Sequence, residues 1–257
     1  MRCPFFVNSI ARFWIGFWIV PVAAAIGCCL PAGTVAATIE ITVRDAAGAP
    51  VEDAVVSLVR AGGPGSAGAA GTTGTVGTAG TAGTVGATGA KPATTPVMDQ
   101  RNQQYVPYVL PVRIGTTVKF PNNDNIQHNV YSFSPAKTFE LKLFGRSTTP
   151  EVVFDKAGIA VLGCNIHDWM LGFVVVLDTP YFGKSARNGS VTLRDLPAGE
   201  YTVNVWQPNM QDDDKPVQKV TLGADDNSKA SFSVKALKPD RRKPTPSNPF
   251  YNSSGGA

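Results

Sequence analysis

The sequence predicts an all-β fold made of β-sandwich units. Three observations carry this. Apolar and polar residues alternate over short runs, as in Ile39, Ile41 and Val43. Clusters of Gly, Pro, Asn and Asp separate these runs. No stretch of 12 or more residues beyond the first 37 carries the 3.6-residue apolar period of a helix. Short strands with frequent turn signals argue for a sandwich or barrel.

Residues 1–37 read as an export signal. Arg2 and Arg12 supply positive charge, no acid precedes Glu40, and Phe13 to Leu30 is almost uninterrupted apolar sequence. Val35-Ala36-Ala37 offers small residues for cleavage before Thr38. A periplasmic or secreted location follows. The chain would stay at a membrane only if this leader were an uncleaved anchor, against which Pro21 and Pro31 count, or were lipidated at Ala25-Ile-Gly-Cys28.

Residues 38–60 alternate in strand fashion around the turn Asp45-Ala-Ala-Gly48. From Gly62 to Gly89 glycine recurs at every third position among Thr, Ala and Val, without charge. Only Pro64 would support a collagen triple helix, so residues 61–96 read as a low-complexity linker. Folding resumes in residues 97–179. Tyr105 to Arg113 is strand-like, with prolines suited to an edge. Thr116 to Phe120, His128 to Phe133, Phe139 to Phe144, Glu151 to Phe154, Ile159 to Leu162 and Leu171 to Leu177 continue the pattern. Residues 180–236 add strands at Tyr201 to Trp206, Val217 to Leu222 and Ala230 to Val234. Residues 237–257 are rich in Pro, Ser, Asn and Gly and read as a disordered tail.

The net charge of +4 falls by two when Arg2 and Arg12 leave with the signal. No basic stripe of a nucleic-acid protein remains. Cys3, Cys28 and Cys29 lie in the leader, so Cys164 would be the one thiol of the exported chain and has no disulfide partner. A lone thiol in an oxidising compartment is a liability unless it is buried or metal-bound.

Cys164-Asn-Ile-His167-Asp-Trp-Met170 places a thiolate, an imidazole and a thioether within seven residues. The chain has two histidines, and the other, His128, lies upstream in a strand-like context. One Cys, two His and one Met form the ligand set of a blue-copper site. Cys164 sits at a strand end and Met170 where the next strand begins, so a short loop presents three side chains to one point. The alternative reading of Cys164 is a buried core thiol.

The spacing Cys-x2-His-x2-Met-x-Gly, with Gly172 and Val174-Val-Val176 after it, resembles the ligand loop of the cupredoxins. It is most similar to the amicyanin type and shorter than the plastocyanin type. Gly115-Thr-Thr-Val-Lys-Phe120, Asn123-Asp124 and His128-Asn129-Val130 share the resemblance. It implies a Greek-key β-sandwich over residues 97–179 holding one type 1 copper ion. His128, Cys164 and His167 would be equatorial ligands and Met170 axial. Asn129 would bond across to the ligand loop. Trp169, Leu171 and Phe173 would form an apolar docking patch around His167, or else pack in the core. Two features depart from the pattern. Ala160, Leu162 and Gly163 stand where many cupredoxins carry tyrosines before the cysteine, and Asp168 stands where amicyanin has proline.

Residues 38–60 and 180–236 resemble the two halves of a carboxypeptidase-regulatory-type β-sandwich. The matching segments are Ile41-Thr-Val-Arg-Asp45, Gly48-Ala-Pro-Val51, Ala54-Val-Val-Ser-Leu58 and Asp195-Leu-Pro-Ala-Gly-Glu-Tyr201. Neither half has enough strands to bury a core alone. The expectation is one accessory sandwich interrupted by the copper unit. No zinc-binding His/Glu motif accompanies it, and the chain has no histidines for further copper centres. The chain therefore reads as a non-enzyme that carries single electrons between redox proteins, such as an amine dehydrogenase or a c-type cytochrome. The alternatives are copper storage, delivery or sensing, or a non-redox structural or adhesion role.

Overall fold

The computed structural model describes residues 36–62, 84–86, 95–235 and 237–242. Most of the export signal expected over residues 1–37, most of the Gly-rich linker and the tail beyond Arg242 lie outside the described residues. Among the described residues the chain is all β, without a helix. The strands are β1 (Ala37–Arg44), β2 (Val55–Arg60), β3 (Thr84–Gly86), β4 (Asp99–Arg101), β5 (Gln104–Val106) and β6 (Val109–Arg113). There follow β7 (Thr116–Lys119), β8 (His128–Ser134), β9 (Lys137–Phe144), β10 (Glu151–Phe154), β11 (Gly158–Leu162) and β12 (Gly172–Leu177). The last are β13 (Tyr181–Lys184), β14 (Ser190–Leu196), β15 (Gly199–Trp206), β16 (Val217–Leu222) and β17 (Asn227–Ser233).

The first and last strands build one two-sheet unit. One sheet has the order β17-β1-β14-β3 and the other β13-β2-β15-β16. β1 is central: it pairs antiparallel with β14 and parallel with β17. Its alternation puts Ile39, Ile41 and Val43 into the core against Leu58, Leu193, Val203 and Phe232. Asp45 stops β1, because its Oδ1 accepts the N–H groups of Ala47 and Ala49 and closes the turn. Tyr201 closes the other end, its hydroxyl donating to the Pro197 carbonyl at 2.6 Å.

The middle strands form a second sandwich. β5 pairs with β4 and β10 with β7, while parallel bridges at Val97–Lys119 and Gln100–Asn122 join β4 to β7. The facing layer runs β9, β8, β11, β12, β6, with β8 and β11 joined at Tyr131–Gly163. The single strand expected from Tyr105 to Arg113 is two strands. Pro107 has no N–H to continue a ladder, and the break lets β5 serve one layer and β6 the other. Between the layers pack Tyr105, Phe120, Val130, Phe154, Leu162, Cys164, Met170 and Val174.

The valine run of β12 has a physical reason. Val174 and Val176 face the core of the second sandwich, whereas Phe173 and Val175 face outward. The outward side is covered by Val55 of β2 and Trp206 of β15. A strand buried on both faces has no polar side to alternate with. Phe173 makes edge contacts with Tyr108 and Trp206, at 5.3 and 5.6 Å between ring centroids. Arg242 stacks on Tyr108 at 4.2 Å and reaches Asp53, which also pairs with Lys184.

Because β1 stands between β14 and β17, deleting residues 36–44 should abolish the amide-exchange protection of both partners. Protection that survived would mean that the later strands fold by themselves. Ile41→Ala alone should cost about 2–5 kcal/mol, read as a lower denaturant midpoint.

Candidate metal centre

His128 opens β8, and its position is fixed by the loop before it. Asn122 is buried there, and its side-chain amide donates to the carbonyls of Ile126 and Phe144, both at 2.9 Å. The Asp124 N–H donates to Asn122 Oδ1, and Arg146 donates to the Asp124 carbonyl. These bonds set Asp124 under the imidazole: His128 Nε2 lies 3.0 Å from Asp124 Oδ2. Asp124 Oδ2 also accepts the Gln103 N–H at 2.7 Å. That N–H is aimed by the β4–β5 turn, where Asn102 and Gln103 both have positive φ (52° and 59°).

The other donors come from the loop between β11 and β12. Tyr131 and Gly163 exchange backbone hydrogen bonds of 3.1 and 3.0 Å, which brings the end of β11 against β8. Cys164 follows directly and is 4% exposed. The Asn165 N–H donates to Asn129 Oδ1 at 2.8 Å, so Asn129 bridges the two ligand-bearing segments. The Met170 N–H donates to the His167 carbonyl, turning the loop back into the core, where Met170 is 2% exposed.

The ligand atoms of His128, Cys164 and His167 all lie within 4.8 Å of one another. The two Nδ1 atoms are 3.2 Å apart, and Cys164 Sγ is 3.8 Å from His167 Nδ1. Metal–nitrogen bonds of about 2.0 Å and a metal–sulfur bond of about 2.3 Å, opened to about 120°, require roughly 3.5 and 3.8 Å. The donor set therefore fits one ion held by two imidazoles and a thiolate. Both histidines present Nδ1, which leaves His128 Nε2–H to donate to Asp124 and fixes its tautomer. The thioether of Met170, in the same cluster as Cys164, suits copper better than zinc.

Asp124 is held below the ordinary carboxylate range. Burial pushes its pKa up, but the hydrogen bonds from the Gln103 N–H, His128 and the Asn125 N–H outweigh that. Tyr105 shifts the other way: burial first, then the neighbouring Cys164, keep its hydroxyl protonated.

The predicted docking patch needs correction. Phe173 is 8% exposed and packs between Tyr108 and Trp206, and Leu171 packs against the same cluster. The first sandwich covers this side of β12, so Phe173 packs in the core, while Leu171 is partly buried. Trp169 does lie at the surface, 39% exposed, with its ring 5.6 Å from that of His167. The other exposed apolar side chains on the histidine-bearing loops are Ile126 and Ile166, 38% and 52% exposed. Sequence reasoning also missed Asp124 as a partner of His128, although its place four residues before the ligand was a usable signal. Asp168 is exposed. The tyrosines absent from β11 are supplied from other strands, since the rings of Tyr131 and Tyr105 occupy the space beside Gly163 and Gly172.

No family model matches the chain, and no curated protein is similar to it. Similar solved structures span about a third of it. A structure described as a novel purple cupredoxin from Nitrosopumilus maritimus is 27% identical over 32% of this chain and 96% of its own, with a TM-score of 0.28. A reduced tyrosine-for-tryptophan mutant of amicyanin is 26% identical over 33% of this chain and 85% of its own, with a TM-score of 0.31. A reduced phenylalanine-for-proline mutant of amicyanin is 28% identical over 32% and 82%, with a TM-score of 0.30.

Asp124→Asn removes the charge from the bond that orients His128. Copper affinity should fall about 10–100-fold, measured by competition with a chelator. Because the folded-state pKa of Asp124 is depressed, its stabilising effect is full above the unfolded value near about pH 4. It is lost as pH falls through the folded value. The stability gap between wild type and Asp124→Asn should therefore be widest at neutral pH and narrow in acid, as read by denaturant titrations across that range.

Proposed function

We propose that the chain is a type 1 copper protein that carries single electrons between redox partners after export to the periplasm. The carrying observation is the convergence of the His128, Cys164 and His167 donor atoms within 4.8 Å of one another, with Met170 in the same buried cluster as Cys164. Bound copper would supply a one-electron Cu(I)/Cu(II) couple. The chain supplies the rest. His128, Cys164 and His167 would hold the ion in a near-trigonal plane, and Met170 would be the weak axial donor. Asp124 orients His128, and Asn129 ties the ligand loop to β8. A framework that holds its donors in place keeps the rearrangement between oxidation states small.

The same geometry bears on copper storage or delivery. His128, Cys164 and Met170 are all buried, and only His167 is partly open to solvent. Handing an ion to an acceptor protein requires several donors to exchange in turn, and three of these are inaccessible. Passing an electron requires only one exposed edge. His167 offers that edge: the Trp169 ring lies 5.6 Å from it, and Ile126 and Ile166 are exposed on the loops that carry the two histidines. Such an apolar rim suits a brief encounter with a redox protein, an amine dehydrogenase or a c-type cytochrome being the partner classes in view. No substrate is transformed in this scheme. The leader in residues 1–37 supports the location, since it would leave Cys164 as a lone thiol protected by burial and metal.

The test is spectroscopic. The exported region loaded with Cu(II) should show an intense visible thiolate-to-copper band, and Cys164→Ser should abolish it. A colourless wild type, or a band that persists in Cys164→Ser, would sink the assignment. Met170→Leu should keep the band and move the reduction potential. Rapid loss of copper to an acceptor chelator, rather than a reversible couple, would favour delivery.

A further inference from the structure

The ligand loop is bracketed by two glycines, and a tyrosine touches both ends. Gly163 immediately precedes Cys164, and Gly172 follows Met170 by two residues. Tyr105, on β5 of the opposite layer, is 2% exposed. Its hydroxyl donates to the Gly163 carbonyl at 2.8 Å and lies 3.4 Å from the Asn129 carbonyl. At the other end, a Cβ on Gly172 would stand 2.8 Å from Tyr105 Cβ and 3.0 Å from its ring. A real Cβ does not approach that closely, so only glycine lets Tyr105 lie against the start of β12. One rigid side chain thus spans the mouth of the loop and reaches the backbone of the residue after His128.

We propose that Tyr105 is a positioning residue, a strut that fixes the separation of the two ends of the ligand loop and so the placement of Cys164, His167 and Met170 relative to His128. This rests on the copper reading for its redox consequences, but the strut itself acts in the metal-free chain. The ring sets the distance, because the hydroxyl oxygen lies on the ring axis and rotation about χ2 does not change its separation from Cβ. The hydroxyl sets the register, because it has one proton and aims it at one carbonyl. The β4–β5 hairpin then serves both halves of the site: Gln103 N–H holds Asp124 behind His128, and Tyr105 holds the loop.

The test uses Tyr105→Phe, which removes the hydroxyl and leaves the ring, and Gly172→Ala, which pushes on the strut from its other end. Tyr201→Phe is the control, since it deletes a buried tyrosine–carbonyl bond of similar length in the other sandwich. In metal-free protein, Tyr105→Phe and Gly172→Ala should each speed amide exchange across residues 164–170 about tenfold. Tyr201→Phe should not. In copper-loaded protein, both site variants should keep the visible band, displace its maximum and potential in the same sense, and slow electron self-exchange. Wild-type exchange rates together with an unmoved band and potential in Tyr105→Phe would overturn the proposal. So would equal changes in Tyr201→Phe, which would reveal a general loss of stability. A wild type without the band would defeat the copper reading, while the metal-free exchange would still decide on Tyr105. If Tyr105→Phe fails to fold, Gly172→Ala carries the same comparison: an unmoved loop there overturns the strut.

Discussion

The site depends on one register, that of β11 against β8. Two backbone hydrogen bonds between Tyr131 and Gly163 set it. Side chains alternate across a sheet, so a slip of one residue would turn Cys164 to the outer face and His128 away from it. The strand pair has no side chain at Gly163 to object, and the Tyr131 ring occupies the space a Cβ would need, with Cζ at 2.5 Å. A larger residue there would push on that ring and work against the pairing that seats the thiolate. The residue before the cysteine is therefore a consequence of packing from the neighbouring strand.

Legibility followed distance along the chain. The donors Cys164, His167 and Met170 are local in sequence, and a loop between two strands can bring only such neighbours together without help. Their chemistry could be read from spacing. His128 could be read because the chain has only one other histidine. Asn129 was legible through its place next to that ligand. Tyr105 was not, because it acts from 58 residues before Gly163 through a hydroxyl whose direction only the fold decides. Asp124 lies four residues before His128, which is a usable signal, but Asn122, Asn123 and Asn125 could also form hydrogen bonds there, and only the fold shows which side chain meets the imidazole.

Core packing at Phe173, rather than a docking patch, has a specific cause. By sequence alone Phe173, six residues beyond His167, fits either reading. In β12 successive side chains face opposite ways, and the outward side is buried by Trp206 and Val55. The uninterrupted Phe173-Val-Val-Val176 run already carried that information. A strand with water on one face would have alternated. Its failure to alternate meant that something covers it, but the covering strands come from both ends of the chain and could not be named from the run alone.

The charges at the site show why its supporting residues matter as much as its ligands. The Asp124 carboxylate lies under a group of side chains made of two imidazoles, the Cys164 sulfur and, in the same cluster, the Met170 thioether. Buried charge is costly unless it is paired or hydrogen-bonded. Asp124 meets this cost with the N–H groups of Gln103 and Asn125 and with His128. The bonds that hold the ligand loop run to Gly163 and Asn165 on either side of Cys164, whose Sγ lies 3.8 Å from His167 Nδ1. The backbone on either side of Cys164 is thus committed to holding position, and its sulfur meets an imidazole. That division, with the backbone holding position and the donor atoms of His128, Cys164 and His167 within 4.8 Å of one another, suits a metal better than it suits a core cysteine.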